Sequence, residues 1–97
     1  MTMKQKILVV GRHASIMEKV LQMLENNDYS AFGVSTDEAA VEILETQKLD
    51  VLVIGGGVSL ESTNYLTQIA QKFQPNIKVV LAHPQTILSD IEKALNG

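Results

Sequence analysis

Cysteine is absent from the chain, which excludes a disulfide framework and any thiolate zinc site. Arginine occurs once, at Arg12, and the formal net charge is −3. A nucleic-acid binder needs a basic stripe that releases several counterions. None is present, so DNA, RNA and anionic membranes are not expected as partners. Tyr29, Phe32, Tyr65 and Phe73 are the only aromatic residues, too few and too scattered for a platform on which bases stack. No apolar run approaches the ~18 residues of a membrane-spanning helix, and Met1-Thr2-Met3-Lys4 leads straight into a strand-like run. The expectation is a soluble, cytoplasmic protein. Paired carboxylates at strand ends, a nucleophile elbow and a reactive thiol are all missing, so neither enzymatic activity nor a cofactor is expected.

What is present is a regular alternation. Residues 1–97 are expected to form a single domain, and a 10.6 kDa chain buries roughly 64% of its unfolded surface, enough for one core. Four short apolar runs stand out: Ile7–Val10, Tyr29–Val34, Val51–Ile54 and Ile77–Ala82. The first and third are continuous and rich in branched residues, as strands covered on both faces should be. Tyr29–Val34 contains Ser30, Ala31 and Gly33 and better suits an edge strand. Between the runs lie helical patterns. Met17, Val20, Leu21 and Leu24 share a face behind a capping box of Ser15 and Glu18; Ala39, Ala40, Ile43 and Leu44 follow a second box of Ser35 and Glu38. Leu66, Ile69, Ala70 and Phe73 form the third stripe, which Pro75 stops. Ile87, Leu88, Ile91, Ala94 and Leu95 form the last.

A strict βαβαβαβα order predicts a parallel four-stranded sheet with helices on both faces, a doubly wound three-layer α/β fold. Spacing alone permits strand orders 2-1-3-4 and 1-2-3-4. In the first, right-handed crossovers put one helix on one face and two on the other, and the final helix must pack beside the first. Ligands of open α/β sheets bind outside the carboxyl ends of the strands, where the order reverses. For 2-1-3-4 that point lies between strands one and three. Strand one ends in Gly11, Arg12 and His13, strand three in Gly55, Gly56 and Gly57, and strand four in His83 and Pro84. The only arginine, both histidines and four of the six glycines therefore gather on one rim.

Each feature has two readings. The glycine triplet either permits a tight turn with positive φ or forms a ligand-cradling loop, although no lysine follows it as a phosphate-binding loop requires. Arg12 either pairs with an acid or, with His13 beside the free N–H groups of the first helix, receives an anion. A metal site would need a third donor, and Glu61 is the only acid expected on this rim, so no metal is expected. Ser59 and Ser62 suit helix capping first, and pairing with His13 or His83 second.

The segments Lys6-Ile-Leu-Val-Val-Gly-Arg-His and Leu49-Asp-Val-Leu-Val-Ile-Gly resemble the first and third strands of receiver domains of two-component response regulators, and Val79-Val-Leu-Ala resembles the fourth. The resemblance spans nearly the whole chain and implies the flavodoxin-like order, here 2-1-3-4. Its functional positions are all altered. The two acids that hold magnesium in receivers match Gly11 and Arg12, the phospho-accepting aspartate matches Gly55, and the strand-four hydroxyl residue matches Ala82. The strand-five lysine and most of the last β/α unit are missing. Two functions follow as expectations. One is a pseudo-receiver that takes no phosphate and acts in signalling by protein contact, including a homodimer through the fourth-strand edge. The other is a sensor for a small anion or nucleotide at Gly11, Arg12, His13, Gly55, Gly56, Gly57 and His83.

Overall fold

The structure, a computed structural model, describes residues 4–82 and 85–96. Its elements run β1 (Lys6–Val10), α1 (Ala14–Asn26), β2 (Ser30–Val34), α2 (Asp37–Thr46), β3 (Val51–Ile54), α3 (Leu60–Phe73), β4 (Lys78–Leu81) and α4 (Ile87–Asn96). All neighbouring strands pair in parallel, in the order β2-β1-β3-β4, so the fold reads as expected and the 1-2-3-4 alternative falls. β2 is an edge strand, which explains its tolerance of Ser30 and Gly33. β1 and β3 lie in the middle, register Leu8 opposite Leu52 and Val10 opposite Ile54, and their burial on both faces demands the continuous branched runs.

The strand alternation feeds two separate cores. Ile7, Val9, Val51, Val53 and Val80 face one layer, where Leu24 of α1 meets Ile87 and Ile91 of α4. Leu8, Val10, Leu52 and Ile54 face the other, against Ala40 and Leu44 of α2 and Leu66 and Ala70 of α3. The last helix thus packs beside the first, as the order 2-1-3-4 requires. Each fully buried Val, Leu or Ile contributes about 1.5–3 kcal/mol relative to exposure, so these two layers dominate the stability.

Two of the expected caps are displaced. The α1 N-cap is His13, without a side-chain hydrogen bond, and Ser15 lies inside the first turn. The α2 N-cap is Thr36, whose Oγ1 accepts the Ala39 N–H at 3.1 Å. In each case a pairing of the strand just before the helix, Val10 with Ile54 or Val34 with Val10, sets where the turn begins and overrides the local pattern. Ser59 does cap α3, accepting the Ser62 N–H at 3.2 Å. α1 ends differently again. Tyr29 N–H donates to Leu24 O at 3.0 Å and Asp28 N–H to Glu25 O at 3.2 Å, a Schellman closure with Asp28 at φ 67° in the left-handed position usually given to glycine.

The opposite, N-terminal end of the sheet is tied by one side chain. Gln74, just past α3, donates through Nε2 to Leu44 O (3.0 Å) and Gln47 O (2.7 Å) and accepts the Leu49 N–H on Oε1 at 2.7 Å. The end of α2, the approach to β3 and the end of α3 meet on this amide. Among the described residues, no helix is long and apolar enough to cross a membrane.

Candidate functional site

Parallel strands end together, so the loops after β1, β2 and β3 converge at the carboxyl rim of the sheet. The register makes the meeting close: Gly55 N–H donates to Val10 O at 2.8 Å and Gly11 N–H to Val34 O at 3.1 Å. Gly55 is also tightly placed, since a Cβ there would stand 3.1 Å from Val10 O. None of the described glycines adopts a positive φ, so the expected left-handed turn at Gly55–Gly57 is not the reason for the triplet. Close packing is. A Cβ on Gly57 would come to 3.2 Å from the His13 ring, which lies against the Gly57 backbone.

Arg12 pairs with an acid, the first of the two readings its position in the sequence allowed. Its Nη2 donates to Asp37 Oδ1 at 2.7 Å and its Nη1 to Ser35 O at 2.6 Å. The other oxygen of Asp37 accepts the Ser62 Oγ–H at 2.7 Å. The loops after β1, β2 and β3 are therefore joined through one carboxylate. The hydrogen bond from Arg12, then that from Ser62, holds the Asp37 carboxyl below its ordinary value of 3.8. Glu61 is thus not the only acid on the rim, and the site is not basic: the lone guanidinium is neutralised by Asp37. Sequence reasoning missed this acid, because a first-turn aspartate is an ordinary helix-start residue and only the parallel sheet carries it beside Arg12. Ser59 caps α3, the first of its two readings, and Ser62 gives its hydroxyl proton to Asp37, while His13 is exposed.

Six of the seven candidate residues nevertheless line one cavity of about 370 Å³. Gly11, Arg12 and His13 form one side of it and Gly55, Gly56 and Gly57 another. Its remaining wall is hydrocarbon: Val9 and Val10 of β1, Ile16, Met17 and Val20 of α1, Ala82 after β4, and Ile87 of α4. His83 lies outside the described residues. The cavity sits on the α1/α4 side of the sheet, and the Arg12–Asp37–Ser62 chain leans toward the α2/α3 side. Among the described residues no three His, Asp or Glu side chains come together as metal donors.

No protein-family model matches the chain, and no curated protein matches it in sequence. Solved structures do match in shape. A response-regulator receiver domain protein (CheY-like) from Methanospirillum hungatei superposes with a TM-score of 0.82 at 17% identity, over 97% of this chain and 95% of that one. A response regulator from Thermotoga maritima gives a TM-score of 0.71 at 19% identity, over 95% of this chain and 79% of that one. A de novo designed Rossmann-fold protein gives 0.59 at 16% identity, over 97% of this chain and 92% of that one. The fold is that of the CheY-like receivers.

Proposed function

We propose that this chain is a receiver-like module that takes no phosphate and acts in signalling or regulation by protein contact, with a second copy as its partner. The observation that carries the first half is the state of the rim. β3 is followed by Gly55, where a receiver has its acceptor carboxylate, and the carboxylate that does reach the rim, Asp37, is held in an ion pair with Arg12. An acceptor carboxylate must be free to attack, and a magnesium site needs oxygen donors that Gly11 and Arg12 do not supply. The fold is retained while the means of accepting phosphate is gone, which leaves binding, rather than chemistry, as the work of the module.

The surface that favours a second copy is the outer edge of β4. Lys78 N–H donates to Asp50 O and Ala82 N–H to Ile54 O, at 3.1 and 2.8 Å, so the intervening Val79 and Leu81 turn their peptide groups away from the sheet. α4 packs on one face of β4, through Val80. Leu81 is 54% exposed, and Lys78 is the one charge on the strand. A short apolar edge with one lysine pairs readily with a strand of the same kind, and an antiparallel β4–β4 contact about a two-fold axis satisfies both copies alike.

Two measurements test the reading. Incubation with acetyl phosphate and Mg²⁺ should leave the intact mass unchanged; a phosphate adduct overturns the first half. Light scattering from micromolar to millimolar protein should show the mass rise toward twice 10.6 kDa, and Leu81→Lys should suppress the rise. A constant 10.6 kDa across that range removes the dimer.

A further inference from the structure

We propose that the rim cavity is a binding site for a small, neutral, largely hydrocarbon molecule of about two-ring size. The inference goes beyond the contact function and is independent of the β4 edge. The cavity lies where open α/β sheets bind ligands, at the reversal of strand order between β1 and β3. Its volume of about 370 Å³ falls within the range of small-molecule pockets. An apolar cavity of about 150 Å³ holds benzene, so this one has space for a bicyclic ring system.

The chemistry of the walls selects against charge. Val9, Met17, Val20 and Ile87 offer only hydrocarbon and a thioether. The guanidinium at the mouth is already paired with Asp37 and bonded to Ser35 O, so its charge is largely offset before any anion arrives. Burying a carboxylate or phosphate against the remaining walls without that partner costs several kcal/mol. A neutral ring gains by leaving water and asks for nothing in return. What polar chemistry remains is hydrogen bonding at the entrance, from the His13 imidazole and the peptide groups of Gly56 and Gly57, so a ligand with a single hydroxyl or carbonyl fits better than a pure hydrocarbon. The anion and nucleotide expectation rested on Arg12 and His13; the apolar walls favour a different class of ligand at the same rim.

The probe is 1-naphthol, a neutral two-ring compound with one hydroxyl, set against inorganic phosphate and AMP. Saturating 1-naphthol should raise the melting temperature by about 5 °C or more. It should also shift amide resonances of residues 9–20, 55–57, 82 and 87, leaving those around Gln74 in place. Phosphate and AMP should do neither. Ala82→Leu, which adds hydrocarbon to the wall, should weaken 1-naphthol at least tenfold. A response to phosphate or AMP in place of 1-naphthol overturns the proposal, as does no response to any of the three. Shifts centred elsewhere overturn the site even if Ala82→Leu fails to fold. A constant 10.6 kDa mass in the scattering experiment would leave this result standing, so the two proposals fail separately.

Discussion

Arg12 Nη2 lies 2.7 Å from Asp37 Oδ1, and through this pair the loop after β1 is fastened to the first turn of α2. The side chains are 30% and 29% exposed, so water screens part of the attraction. Measured pairs of this kind contribute about 1 kcal/mol or less. The pair owes its importance less to that sum than to what it occupies, the only arginine of the chain.

The pair makes a pH prediction. Arg12 first, and Ser62 second, lower the folded Asp37 carboxyl below the ordinary 3.8 that it regains on unfolding. Its contribution is therefore complete above the ordinary value and is lost as pH falls through the folded one. In urea melts, Asp37→Asn should cost about 1 kcal/mol near neutral pH, and the gap to wild type should narrow as pH drops below about 4. A gap that stays constant with pH would show that the carboxylate charge contributes nothing.

Gln74 gives a larger effect at the other end of the sheet. Truncation to Ala leaves the part-buried Leu49 N–H without its acceptor and two carbonyls without their donor. The expected loss is about 1–3 kcal/mol. Gln74→Glu keeps the size but turns a donor into a charged acceptor facing Leu44 O and Gln47 O, so it should be worse at neutral pH and recover partly in acid. Equal stability of Gln74→Glu and wild type at neutral pH would contradict the hydrogen bonds described.

Asp28 holds the left-handed position that closes α1, at φ 67°. A residue with a Cβ is strained there by roughly 1–2 kcal/mol, part of which glycine repays in unfolded-state entropy. Asp28→Gly should therefore stabilise by about 0.5–1 kcal/mol, whereas Asp28→Val should destabilise. The pair of thermal melts is a direct check on the Schellman geometry.

Gly33 lets α1 approach β2. A Cβ at this position would lie 2.5 Å from Met17 Sδ and 2.8 Å from Leu21 Cδ1. Both are ends of flexible side chains, so Gly33→Ala should cost about 1 kcal/mol, and Gly33→Val about 2–3 kcal/mol. Met17→Ala in the Gly33→Ala background should give back part of the loss, which a double-mutant cycle would read as coupling.

The chain itself determined the layers. Val51–Ile54 announces a central strand because a segment covered on both faces can carry no polar side chain, and the same logic marks Ile7–Val10. Ser30 and Gly33 mark an edge for the complementary reason, and the apolar stripes of α1 and α4 show that each needs a sheet to cover it. The clustering of Gly11–His13 with Gly55–Gly57 was also legible, because parallel strands must end on one side. Which helix begins at which residue was not, since Thr36 and His13 take their cap positions from strand pairing with distant partners. Nor was the fate of Arg12. Its partner is 25 residues away, and the choice between an ion pair and an open anion site depends on where α2 starts relative to β1. Local pattern reports burial, which every residue in an element shares with its neighbours. The charge and the hollow at the rim depend on which loops meet in space, and only the tertiary structure decides that.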